Sequence, residues 1–226
     1  MSSLTITDIL DGAAFAEIHD RIGALKWRDG KATAGKTAAR VKQNEQADLT
    51  SAEGRAVSER IRKALYANPV FVAAARPRRM SSLLISRTAD GGHYGPHVDN
   101  GLMKVGGDRL RTDLSFTLFL SAPDSYEGGE LIVHQSGASQ RLKGELGELV
   151  LYPSSDIHEV TPVTKGVRMV CVGWVESLIA DPTQRALLFD LENLKVSLKA
   201  ELPDGSAERL VLDKTIANLL RMWARP

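Results

Sequence analysis

His97-Val98-Asp99, together with His158 and Arg168 far downstream, is the set of residues in this chain best suited to chemistry. In an extended strand residues i and i+2 project to the same side, so His97 and Asp99 point together while Val98 points away. A second histidine brought beside them makes a site of two imidazoles and one carboxylate. That donor set suits iron with coordination positions left open for a co-substrate and O₂. His158 follows the strand-like Leu149-Val150-Leu151-Tyr152 and the turn Pro153-Ser154-Ser155-Asp156, and is the candidate third ligand. Arg168 lies ten residues further on and opens the apolar run Met169-Val170-Cys171-Val172. A cation inside such a run is costly unless paired. Its planar fork can grip a carboxylate through two parallel hydrogen bonds, which makes it a candidate for holding a dicarboxylate.

Taken singly, each of these residues is a weak signal. A lone His-x-Asp is common, a histidine at a loop end is more often a surface residue, and an edge arginine can simply face solvent. It is the combination, with strands filling the long gap, that raises the odds. The other histidines are poorer candidates: His19 lies on a presumed helix surface, His93 sits in a turn, and His134 ends a strand and reads as surface. A closed structural zinc site would favour Cys-rich ligands, and the chain has one cysteine, Cys171, in an apolar run that reads as core.

These residues need strands to hold them. From about 79 to 177 the pattern is one of short β-branched or aromatic runs: Ser82 to Ser86, Asp113 to Ser121, Glu130 to Gln135, Leu149 to Tyr152 and Arg168 to Val175. Gly-rich turns separate them and no long helical pattern interrupts, which predicts a sandwich or barrel. Before it, Asp11 caps a predicted helix with Phe15, Ile18, Ile22 and Leu25 on one stripe, and Ser51 caps another carrying Val57, Ile61 and Leu65. Residues 28–50 are polar with interspersed glycines and read as a long loop or lid. After the strands, Asp181 and Pro182 give a strong helix start, and Leu187, Leu188, Leu191, Leu194 and Leu198 continue it. A last helix carries Leu212, Ile216, Leu219, Leu220 and Trp223. The expected division is therefore 1–78 helical and loop, 79–177 β core, and 178–226 a C-terminal helical unit. The tail has more apolar surface than two helices can hide in each other, which predicts a homodimer.

At 226 residues, 43% hydrophobic and 25% charged, the chain fits one globular domain with a small appendage. A net charge of +1 gives no argument for nucleic acid or an anionic membrane, and Arg76-Pro77-Arg78-Arg79 reads as the solvated start of a strand. Met1-Ser2-Ser3-Leu4-Thr5 lacks signal-peptide features, no window is long and apolar enough to span a bilayer, and one cysteine suits a reducing compartment. The expectation is a cytoplasmic location.

The constellation resembles the 2-oxoglutarate/Fe(II) dioxygenases, and more closely the bacterial PKHD-type hydroxylases, relatives of the prolyl 4-hydroxylases. The carrying segments are Tyr94-Gly95-Pro96-His97-Val98-Asp99-Asn100, Arg111 through Leu120, Tyr126-Glu127-Gly128-Gly129-Glu130-Leu131, Tyr152-Pro153-Ser154 and His158-Glu159-Val160. Trp27-Arg28-Asp29-Gly30 with Thr33-Ala34-Gly35, and Leu219 through Ala224, extend the similarity to both ends. One departure is Thr88, where family members often carry Tyr after the arginine; this bears on the shape of the primary-substrate side. The resemblance implies a double-stranded β-helix (jelly-roll) core with flanking helices. It implies Fe(II) on His97, Asp99 and His158, 2-oxoglutarate held by Arg168, O₂ as oxidant, and ascorbate as a stimulating reductant. The implied reaction hydroxylates a peptide or small molecule and releases succinate and CO₂. Two other functions fit the same residues: a cupin-like metal enzyme not using 2-oxoglutarate, and a non-catalytic iron or 2-oxoglutarate sensor. Cupins more often use three histidines and a glutamate, and iron-dependent succinate release separates all three.

Overall fold

The computed structural model describes residues 3–33, 35, 38–135 and 137–225. Met1, Ser2 and Ala34, which enter the readings above, lie outside the described residues. The architecture is mixed α and β, with five α-helices among the described residues around many antiparallel strands. The larger sheet has eight strands. Its main path runs Leu4–Ile6, Leu149–Pro153, Leu114–Phe119, Arg168–Ser177, Leu84–Thr88, Glu45–Ala47 and Trp27–Asp29, and Pro77–Met80 pairs onto the Arg168–Ser177 strand. A five-stranded sheet faces it, in the order Ala138–Leu142, Leu131–Gln135, Ile157–Val160, His93–His97 and Lys42–Gln43.

The central strands of the larger sheet are buried on both faces, so they read as continuous apolar runs rather than alternating ones. Leu114, Phe116 and Leu118 turn to one side with Leu149, Leu151, Cys171 and Val175. There they form a core with α1 (Gly12–Gly23), α2 (Ala52–Ala67) and α3 (Pro69–Ala75). Phe119, Val150, Tyr152 and Val170 turn to the other side and meet Leu131 and Val133 of the second sheet. Ser115, Thr117, Arg168 and Trp174 lie on that inner face and line a cavity between the sheets. Cys171 is a core residue, fully buried, and burial pushes its thiol up to about 12.

The predicted caps are present: Asp11 accepts from Ala14 N at 2.7 Å, Ser51 from Gly54 N at 3.1 Å, and Asp181 from Thr183 N and Gln184 N at 2.8 Å each. Three expectations need correction. Residues 28–50 are not one long loop: they hold 3₁₀ turns and the short strands Trp27–Asp29, Lys42–Gln43 and Glu45–Ala47, which extend both sheets. The strands are polar because Lys42, Asn44 and Gln46 line the cavity, which hides the apolar alternation that marks a strand. The Arg76–Arg79 cluster is not simply solvated: Arg78 and Arg79 bind the buried Glu176 at 2.9 and 2.6 Å, and Arg76 binds Glu192 at 3.1 Å. In the tail, α4 (Pro182–Glu201) and α5 (Ala207–Trp223) close a small core of Ile179, Leu188, Leu212 and Ile216, with Leu191 and Leu198 against it. Leu187 and Leu194 belong to the opposite, outward line and are each 47% exposed.

Candidate metal centre and active-site cavity

Neighbouring strands of the smaller sheet bring the two histidines together. His158 pairs in register with His97 across the antiparallel Ile157–Val160 and His93–His97 strands. Their rings lie 4.2 Å apart between centroids, and Asp99, just past the strand end, places Oδ2 at 3.6 Å from His158 Nε2. One ligand-capable atom from each of His97, Asp99 and His158 falls within 4.8 Å of the others, and no fourth His, Cys or acid joins that group among the described residues. His134 is elsewhere, bound to Glu159 and Ser139. His93 lies against Gly91 O, and His19 is exposed beside Phe15.

The backbone sets the tautomers. His97 Nδ1 lies 2.9 Å from Gly95 O, and His158 Nδ1 lies 3.0 Å from Asp156 O. A carbonyl can only accept, so both Nδ1 atoms carry the proton and both Nε2 lone pairs are free to bind a metal. Burial and the proximity of His158 push the His97 imidazolium down to about 4, so His97 is a neutral donor near pH 7. Its ring stacks on Tyr94 at 3.6 Å and 16°, and Tyr152 meets the His158 ring edge-on at 5.1 Å. Burial raises both phenols above their ordinary pKa, so they remain neutral.

Asp99 is oriented by a residue that sequence reasoning missed. Ser115 Oγ donates to Asp99 Oδ2 at 2.6 Å and lies 2.8 Å from Ser154 Oγ. Ser115 has one hydrogen and spends it on the carboxylate, so Ser154 donates to Ser115. A polar side chain within Leu114–Phe119, whose six residues are all buried, was the available signal. Ser115→Ala is expected to weaken Fe(II) binding roughly 10–100-fold, the usual effect of losing a partner that orients a ligand. Metal titration with a competing chelator checks this, and an unchanged affinity would remove Ser115 from the centre.

Arg168 is 3% exposed, and its Nε and Nη2 have no hydrogen-bond partner among the described residues. Burial holds the guanidinium below its ordinary pKa, with Tyr126 and Tyr152 nearby acting in the opposite sense. The ring of Phe119 lies 5.6 Å beneath it. Gly129, at φ +67°, leaves room for its stem, since a Cβ there would fall 2.8 Å from Arg168 Cδ. The cavity that contains Arg168 and the His-Asp-His cluster has a volume of about 740 Å³. Thr88 is buried in its wall, opposite Arg168 in register. A second buried cation also lines it: Lys42, 6% exposed, is held down to about 8 by burial against the pull of Asp99 and Asp29.

Residues 83–176 match the 2OG-Fe(II) oxygenase superfamily, and residues 183–225 match the PKHD-type hydroxylase C-terminal domain. A PKHD-type hydroxylase of Hyphomonas neptunium is 48% identical over 221 residues, covering 98% of this chain and 99% of that protein. One from Synechococcus elongatus is 47% identical over 221 residues, with the same coverage of both chains. Among solved structures, a prolyl hydroxylase from Trichoplax adhaerens, in complex with a hypoxia inducible factor oxygen degradation domain peptide fragment, superposes with a TM-score of 0.58. It is 14% identical and covers 82% of this chain and 86% of its own. HygX from Streptomyces hygroscopicus, with nickel and 2-oxoglutarate bound, gives a TM-score of 0.54 at 12% identity, covering 79% and 84%. At such identities the likeness is one of fold.

Proposed function

The chain belongs to the PKHD-type hydroxylase family, built on a 2OG-Fe(II) oxygenase domain, and from that premise we propose that it hydroxylates a peptide or small molecule at a C–H bond with release of succinate and CO₂. It is a 2-oxoglutarate-dependent oxidoreductase using Fe(II), 2-oxoglutarate and O₂. The observation that carries the reading is one cavity holding both a His-Asp-His cluster and a buried arginine, two of whose nitrogens have no partner among the described residues and which no carboxylate pairs. The donor set fits Fe(II) and the orphaned fork fits a carboxylate.

In this reading His97 and His158 bind the metal through Nε2, and Asp99 binds it through its carboxylate. Arg168 binds the distal carboxylate of 2-oxoglutarate and so fixes the co-substrate's orientation. Iron with O₂ and 2-oxoglutarate supplies the oxidising chemistry, and the protein supplies orientation and exclusion of water. The chain's own groups hold their protons throughout: both Nδ1–H groups stay on backbone carbonyls and Ser115 keeps its hydrogen on Asp99. Leu131, Val160 and Val170 in the cavity wall displace water from the reacting region. Residues 79–177 carry this chemistry, with 1–78 and 178–226 flanking it. The fold accommodates both proposed substrate classes elsewhere: the Trichoplax neighbour carries a peptide, and HygX has been solved with hygromycin B. The test is succinate formed per 2-oxoglutarate consumed, with and without Fe(II), across a panel of peptides and small molecules and with ascorbate present or absent. Binding of iron and 2-oxoglutarate without iron-dependent succinate would replace the enzyme with a sensor.

A homodimer built through the C-terminal helices and a cytoplasmic location complete the proposal. Leu187, Leu194, Val196, Leu210, Val211 and Met222 are exposed on those helices, which supports self-association. No helix among the described residues is long and apolar enough to cross a membrane, and the one cysteine is free and buried. Light scattering at micromolar concentration is expected to give twice the chain mass, and a chain ending near Ala180 the single mass. A full-length monomer would end the dimer.

A further inference from the structure

We propose that Lys42 and Trp174 recognise an anionic group, a carboxylate in the simplest case, on the primary substrate. The inference rests on the oxygenase reading and names the substrate class of the same cavity. Lys42 reaches the cavity from the edge strand Lys42–Gln43, which pairs with the strand bearing Tyr94 and His97. Its ammonium donates to Thr33 Oγ1 at 3.3 Å and lies 5.0 Å from the Tyr94 ring centroid. Among the described residues no carboxylate comes within ion-pairing distance of it. A lysine this buried normally has a partner. Trp174 also lines the cavity, and its indole N–H is buried with no acceptor among the described residues. A buried ammonium with no counter-charge on the smaller sheet and an indole N–H with no acceptor on the larger sheet, both lining one cavity, call for acceptors from the ligand.

2-Oxoglutarate is poorly placed to answer both. Arg168 and Trp174 lie on the same strand and the same face, six residues apart, which is roughly 20 Å of extended chain. Trp174 is in register with Ser115, the partner of Asp99, and Lys42 is in register with Tyr94, on whose ring His97 stacks, so both lie at the metal end of the cavity. A five-carbon diacid anchored on Arg168 and reaching the metal leaves the Lys42 and Trp174 region to the other substrate. Formal charge agrees. A dication with Asp99 leaves one positive charge, and the doubly negative co-substrate with Arg168 brings the sum to zero. Lys42 then adds one positive charge that a singly anionic substrate would neutralise.

The test uses full-length protein loaded anaerobically with Fe(II) and 2-oxoglutarate. Dissociation constants are measured by ligand-observed NMR for butanoate against butanamide and for N-acetylglycine against N-acetylglycinamide. Wild type is expected to favour each carboxylate about tenfold or more, the scale of one charge-assisted hydrogen bond. Lys42→Met and Lys42→Gln should erase the preference, and Trp174→Phe should reduce it. Both lysine variants should melt at or above the wild-type temperature, because a buried cation with no counter-charge has been removed. Equal binding of acid and amide by wild type overturns the proposal, as does a preference that survives in both lysine variants. A melting point lowered in both assigns Lys42 to the fold and also overturns it. A tenfold loss of 2-oxoglutarate affinity in Lys42→Met moves the residue to the co-substrate, which sinks this inference and leaves the oxygenase reading standing. Wild-type protein that binds no 2-oxoglutarate removes the oxygenase reading itself.

Discussion

Protein in which His97 is replaced by Ala is expected to fold and to emerge from purification without stoichiometric Fe(II). His97 supplies one of the three ligand atoms that lie within 4.8 Å of one another, and among the described residues no other His, Cys or acid stands ready to replace it. Loss of an orienting partner alone weakens metal sites roughly 10–100-fold, so loss of the ligand itself should exceed about 100-fold. The fold should survive because His97 lies at a strand end beside the cavity, half-buried, and contributes no member to the apolar cores. What is lost structurally is its stack on Tyr94 and one hydrogen bond to Gly95 O. Iron content after gel filtration, read beside the far-UV circular dichroism spectrum, checks both halves. Wild-type iron content in a folded variant would show that the ligand assignment is wrong.

The half of the site that the sequence shows is the local half. His97 and Asp99 are two residues apart, and an extended chain puts them on one side; the strand itself ends at His97, and Asp99 lies just past it. Helix caps are legible for the same reason: Asp11, Ser51 and Asp181 act on groups two or three residues away. What stays hidden is long-range or looks like something else. The strand that carries His97 reads His-Tyr-Gly-Pro-His, and its Gly and Pro are turn signals in any local reading. Its pairing with the His158 strand spans some sixty positions of sequence, and no spacing rule sets that register. The strands in 28–50 are disguised by polar residues that face a cavity rather than water. Ser115 and Trp174 were hidden inside runs that read as core. The apolar positions were also ambiguous in the tail, where Leu187 and Leu194 share a spacing with Leu191 and Leu198 but lie outward, because Arg185 and Leu188 define the inward face.

Arg168→Lys should lower the affinity for 2-oxoglutarate by about 1–3 kcal/mol, roughly 5- to 150-fold in dissociation constant, while iron binding holds. The charge is kept; the planar fork and its second parallel hydrogen bond are lost. The shorter donor reach of an ammonium also leaves it less able to use the channel that Gly129 opens for the arginine stem. Arg168→Met separates function from fold more sharply. In the free protein Arg168 is buried with two nitrogens unsatisfied, so an apolar chain of similar length is expected to raise the melting temperature while abolishing 2-oxoglutarate binding. A residue retained only for packing would show the reverse: lower stability and unaltered affinity. Calorimetric titration of 2-oxoglutarate under anaerobic conditions, paired with thermal melts of the three proteins, distinguishes them. Unchanged affinity in Arg168→Lys and Arg168→Met would take this residue out of the co-substrate site. A gain in stability bought with lost binding would mark Arg168 as a cation kept buried for the ligand that neutralises it.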